Sequence, residues 1–126
     1  MTVADIQHLL ACEIFSGDGF LDRPVRYGCA SDLMSDVLAF SRSGALLLTG
    51  LVTVQTVQTA FIAELNAVIL VRGKRPDDAV LRVAHEKGIP LLGTPYSMYE
   101  ACGILYRSGI PSTMEVTEGE PRRAGA

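Results

Sequence analysis

The residues best suited to chemistry sit at four turns, each following a short apolar run: Cys29-Ala30-Ser31-Asp32, Thr49-Gly50, Val71-Arg72-Gly73-Lys74 and Gly93-Thr94-Pro95-Tyr96. Glycines there permit close backbone approach, threonines offer hydroxyls, and Arg72, Lys74 and Arg75 supply positive charge. Such turns can cradle an anion, and a phosphate or nucleotide is the ligand class they suit. The candidate ligand-binding residues are Ser31, Asp32, Thr49, Gly50, Arg72, Gly73, Lys74, Gly93, Thr94 and Tyr96. The same residue types also serve ordinary turns and helix caps. A phosphate-binding G-x-x-x-x-G-K-[ST] loop would need glycine at Val68 and a hydroxyl at Arg75, and no G-x-G-x-x-G run occurs.

No catalytic residue is assigned. His8 lies near the polar side of a short predicted helix and His85 near the end of another, while Ser97 and Cys102 have no histidine beside them in sequence to activate them. The three cysteines, Cys12, Cys29 and Cys102, are far apart and form no C-x-x-C pair, so neither a metal site nor a disulfide framework is expected, and no cofactor is implied. Tyr96, Tyr99 and Tyr106 could line a pocket that stacks a base, or lie at the core boundary.

The elements that position these turns centre on residues 67–95. Ala67 to Val71 reads as a buried strand, Pro76 to Lys87 as a helix closed by Gly88, and Leu91-Leu92 as a second strand. Ala45 to Thr49 is a near-continuous apolar run too short for a helix, as expected of a strand covered on both faces. Thr2 to Asp5 resembles a capping box before a first helix, and Glu13-Ile14-Phe15 suits a short strand. Leu21 to Tyr27, with Pro24, suits an extended edge or linker. Ser31 is the expected N-cap of a helix with Leu33, Met34, Val37, Leu38 and Phe40 inward. A last helix runs from about Ser97 to Arg107.

Between Val52 and Leu65 the spacing of Val54, Val57, Phe61 and Leu65, with Ile62 beside them, predicts a helix with these residues inward. Its other face, Gln55, Thr56, Gln58 and Thr59, is polar but uncharged. It is either a neutral surface or a homodimer contact, since interface cores are depleted of charge. Gln55, Gln58 and Thr59 are the candidate interface residues.

Strands alternating with helices give an α/β domain: a small, mostly parallel sheet of about four or five strands with helices on both faces, built from repeated βα units. Residues 1–111 form the domain and residues 112–126, small and polar, a disordered tail. With 126 residues, 48% hydrophobic, 20% charged and a net charge of -3, the chain lacks the clustered basic residues that nucleic acid or anionic lipid would require. No apolar run approaches a membrane span and no signal-peptide pattern opens the chain, so a cytoplasmic protein is expected.

The strand ending in Thr49-Gly50, the AVILVRG strand, the PDDAVLRVAHEKGIPLLGTPYSMYEACGILY stretch and the Ser31-to-Val37 segment together resemble the DRTGG domain. They are more distantly similar to the N-terminal domain of HPr kinase/phosphorylase. The resemblance runs from Val3 to about Ile110, and its most specific piece is Gly88-Ile89-Pro90-Leu91-Leu92-Gly93-Thr94-Pro95. The contiguous letters Asp-Arg-Thr-Gly-Gly are absent, Asp22-Arg23 being followed by Pro24. The resemblance implies an accessory regulatory domain, of a kind found joined to paired CBS domains, joined to phosphotransacetylases, or free-standing. The expected function is a non-catalytic regulatory or adaptor module, working as a homodimer on an unidentified protein partner, a metabolic or hydrogenase-related enzyme being one candidate. The alternative is a sensor of a nucleotide or phosphorylated metabolite at the carboxyl ends of the strands.

Overall fold

Two central strands, β3 (Ala45–Thr49) and β4 (Ala67–Leu70), are buried along their whole length. Their branched apolar side chains point alternately to either side, so each face of the sheet needs a cover of helices. The computed structural model describes residues 1–114 and supplies both covers. In chain order the other elements are α1 (Val3–Leu9), β1 (Glu13–Ser16), a 3-10 turn (Asp18–Phe20), β2 (Tyr27–Ala30) and α2 (Met34–Phe40) before β3. α3 (Val54–Ile62) joins β3 to β4, and α4 (Asp78–Lys87), β5 (Leu91–Gly93) and α5 (Met98–Arg107) follow.

The sheet order is β1-β5-β4-β3-β2, with β2 to β5 parallel and β1 antiparallel to β5. α1 and α5 cover one face through Leu46, Leu48, Ile69 and Leu92, while α2, α3 and α4 cover the other through Leu47, Val68, Leu70 and Leu91. This is the expected α/β fold. Thr2 and Asp5 form the reciprocal capping box, and Gly88 closes α4 in the left-handed conformation.

Several expectations are corrected. Cys29 and Ala30 belong to edge strand β2, so the chain must turn through Ser31 to Leu33 before α2 begins. Leu33 takes the N-cap position without a side-chain bond, and the Ser31 hydroxyl accepts from the Leu33 amide instead. Of the α2 residues expected inward only Met34 and Val37 are buried, whereas Leu33, Leu38 and Phe40 are about half exposed.

α3 is turned from its expected orientation. Thr56, Val57, Thr59 and Ala60 face the core, while Phe61 and Ile62 face outward. Small side chains let the helix lie close on a sheet whose own residues are large, and this outweighs the gain from burying two bulkier ones. Thr56 meets the core without penalty because its hydroxyl donates to the Leu51 carbonyl at 2.7 Å. Thr59, expected at a dimer contact, is 4% exposed and packed inside its own subunit.

After α5 the backbone returns to the sheet. The Gly28 amide donates to the Pro111 carbonyl and the Thr113 amide to the Gly28 carbonyl, giving a parallel bridge between Gly28 and Ser112. The remainder of the tail expected from residue 112, residues 115–126, lies outside the described residues.

Candidate functional site

The carboxyl ends of β3 and β4 bring four expected residues together. Asp32, delivered by the turn after β2, accepts from the Gly50 amide at 2.7 Å and from the Thr49 hydroxyl at 3.0 Å through the same oxygen. Thr49 in turn accepts from the Leu51 amide. Lys74 extends from the turn after β4, and its ammonium donates to the Gly50 carbonyl at 2.5 Å. The Gly50 amide above all, then the Thr49 hydroxyl, Lys74 and Arg72, holds the Asp32 carboxyl below the usual carboxylate range, against an opposing effect of desolvation that is smaller than that of the Gly50 amide. The carboxylate of Asp32 is thus the anion that faces the Gly50 amide and the Thr49 hydroxyl at the ends of these strands.

The neighbouring turns are satisfied internally as well. The Arg72 amide donates to the Tyr96 carbonyl, the Gly73 amide to the Thr94 carbonyl, and the Thr94 amide to the Leu70 carbonyl. Arg72 and Gly73 both have positive φ, 60° and 69°, forming a tight reversal in which arginine is strained and glycine is not. Buried Thr94 donates its hydroxyl to the Leu10 carbonyl at 2.6 Å, tying the β5 turn to α1. Gly93 is fixed by close approach, because a Cβ there would lie 2.5 Å from the Phe15 ring.

Ser31 stays in its own turn. Arg75 leaves the cluster for the opposite edge of the sheet, where it pairs with Glu13 at 2.7 Å and lies over the Phe15 ring.

A concavity lies elsewhere. A groove of about 970 Å³ runs between α5 and edge strand β2, floored by Leu48 and Ile110 and lined on the helix side by Tyr96, Tyr99, Tyr106 and Arg107. All three tyrosines singled out from the sequence reach it, and of the ten candidate ligand residues only Tyr96 lines it. The share of β2 was not readable, since its wall is backbone and small side chains, Gly28 to Ala30, with no chemical signature.

Burial raises the thiols of all three cysteines, Cys12 to about 12 and Cys29 to about 11, so each stays protonated near neutral pH. Among the described residues no group of three or more His, Cys, Asp or Glu is placed to hold a metal ion, and no helix is long and apolar enough to cross a membrane.

This architecture has a solved counterpart. The crystal structure of the CBS and DRTGG domains of the regulatory region of Clostridium perfringens pyrophosphatase, complexed with the activator diadenosine tetraphosphate, matches with a TM-score of 0.68. The match covers 89% of this chain at 14% identity, a likeness of fold. It takes in 48% of that chain, so the present protein spans about half its length. No family and no curated protein matches the sequence.

Proposed function

We propose that this chain is a non-catalytic regulatory or adaptor module of the DRTGG kind, acting through protein contacts as a homodimer. The observation that carries this reading is the closed state of the strand ends. In open α/β sheets that is where ligands are held and turned over, and here Asp32, Thr49, Gly50 and Lys74 satisfy one another. The raised thiols of Cys12, Cys29 and Cys102 fit this reading. The regulatory nature of the pyrophosphatase region that shares the fold is consistent with it. Its test is the quaternary state of the purified chain, followed by co-purification with a tagged copy. A protein that sediments as a monomer would sink the homodimer.

A second reading, a nucleotide sensor, is favoured by the groove with its tyrosines and Arg107 and by the nucleotide activator of the structural counterpart. It moves the ligand from the strand ends to the α5 face. A ligand at one hundred times its dissociation constant adds about 2.7 kcal/mol to stability. Adenine nucleotides should therefore raise the melting temperature of the wild type, and Tyr99→Ala, which removes a fully solvated ring, should lower that response. A nucleotide panel that leaves the melting temperature unmoved counts against the sensor.

A further inference from the structure

The groove beside α5 owes its space to small side chains on edge strand β2. Cys29 packs with Leu47 on the far face of the sheet, so Gly28 and Ala30, on either side of it, turn toward the α5 face. A Cβ on Gly28 would touch Ile110 at 3.5 Å, and Ala30 is exposed at the groove. The strand also leaves one pair of backbone groups open there. The Ser31 amide donates to the Leu48 carbonyl, and the parallel register sets Ala30 against Leu48, which points the Ala30 amide and carbonyl away from β3. The equivalent pair on Gly28 is taken by Pro111 and Thr113, but the chain then turns, the Met114 amide donating to the Ser112 hydroxyl. Among the described residues none bonds to the outward groups of Ala30.

Across the groove α5 presents Tyr99 and, one turn on, Gly103. Tyr99 is 91% exposed, so its ring serves no core. Gly103 stands inside the helix, where glycine costs stability relative to alanine, yet nothing lies within 4 Å of a Cβ built on it. Packing does not require a glycine there, and its missing side chain leaves a notch one turn from the Tyr99 ring. We propose that a nucleobase fills this notch, its face on the Tyr99 ring and its edge on the Ala30 amide and carbonyl, with the phosphates of the nucleotide at Arg107. The proposal rests on the nucleotide-sensor reading above and names its contacts.

An exposed aromatic ring gives any base a stacking face, and base edges set hydrogen-bond donors beside acceptors, the complement of one open backbone pair. An extended peptide suits the site less well. Strand addition gains by repeating backbone bonds along an edge, and here Gly28 is already paired and the Ser31 amide turns inward to Leu48, which leaves Ala30 alone to bond. Charge sets the direction of the nucleotide. Glu100 lines the groove beside Tyr99 and would repel a phosphate there, whereas Arg107 lines it further along α5. From Tyr99 to Arg107 the helix rises about 12 Å, at about 1.5 Å per residue, a span that a nucleoside diphosphate can bridge.

The test is thermal unfolding and calorimetric titration of the full chain with ADP, GDP, CDP and UDP, with inorganic pyrophosphate as the base-free control. At least one nucleotide should raise the melting temperature at a concentration where pyrophosphate does not. For that nucleotide Tyr99→Ala and Gly103→Leu should each raise the dissociation constant at least about tenfold. Gly103→Leu, which puts a better helix former into open space, should nonetheless melt no lower than wild type without ligand. The same nucleotide methylated at the hydrogen-bonding edge of its base should lose affinity to a similar extent. A wild type that responds to none of the four overturns both this contact and the sensor reading. A response matched by pyrophosphate, unchanged in Tyr99→Ala and Gly103→Leu, or kept by the methylated base overturns the base slot alone.

Discussion

Replacing Asp32 with alanine should convert a closed turn into an open anion site. The variant loses the acceptor of the Gly50 amide and the Thr49 hydroxyl. A net hydrogen bond contributes about 0.5–1.5 kcal/mol, and the exposure of Asp32 lets water replace part of each, so the loss should be about 1–2 kcal/mol. For a domain of this size that is a fall in melting temperature of about 4–8 °C. The vacated position is faced by the Gly50 amide, the Thr49 hydroxyl and the Lys74 ammonium. Inorganic phosphate at ten times its dissociation constant should then restore about 1.4 kcal/mol to the variant and little to the wild type. Thermal unfolding in phosphate and in a zwitterionic buffer at matched ionic strength separates the two effects. Asp32→Asn, which keeps an acceptor but loses the charge, should fall between them. If Asp32→Ala unfolds within about 1 °C of wild type, or if wild type gains as much from phosphate as the variant, the account of a self-filled anion site is wrong.

Other expectations concern the backbone and the titrating groups. Gly93→Ala must displace the Phe15 ring and should cost about 1–3 kcal/mol, whereas Gly103→Ala, with nothing within 4 Å of the new Cβ, should stabilise α5 by about 0.5–1 kcal/mol. Paired denaturant melts that fail to show opposite signs would contradict this. Ala11, Glu64 and Arg72 have φ of 51°, 57° and 60°, so glycine at each should raise stability by about 0.5–1 kcal/mol, read from urea midpoints. Cys12 and Cys29 hold their protons more tightly folded than unfolded. Their stabilisation is complete below the unfolded thiol pKa of about 8.5 and fades as pH rises toward their folded values. Stability should therefore decline through that alkaline range, less so in a Cys12→Ala, Cys29→Ala protein. At acid pH the sign is opposite: the depressed carboxyl of Asp32 favours the fold above the unfolded value and loses that effect as pH falls through its folded value. Asp32→Asn should flatten that limb.

The parallel core was legible because its strands are continuous apolar runs between glycine and cap signals, as in Ala45 to Thr49 and Ala67 to Leu70. Caps at Thr2 and Gly88 were legible for the same local reason. Edge strand β2 was not, because Tyr27-Gly28-Cys29-Ala30 carries no periodic signal and owes its conformation to pairing with β3. The rotation of α3 was hidden by a rule that ranks residues by hydrophobicity alone: a tight seat on the sheet favours Thr59 and Ala60 over Phe61 and Ile62. The turns that carry Asp32, Thr49, Gly50 and Lys74 were legible as the ends of strands, but the mutual satisfaction of these four residues depends on distances that no linear spacing encodes.

The return of the chain to Gly28 has a consequence for self-protection. β2 is an edge strand, and the outward amide and carbonyl of Gly28 would offer a template for strands of other molecules. Pro111 and Thr113 occupy both groups, while at the opposite edge of the sheet β1 covers β5. At the β2 edge the few residues after Ile110 therefore act as a selvedge, taking up the two groups of Gly28 that a neighbouring strand would pair with. Removing them should leave the core folded yet make the protein prone to aggregate.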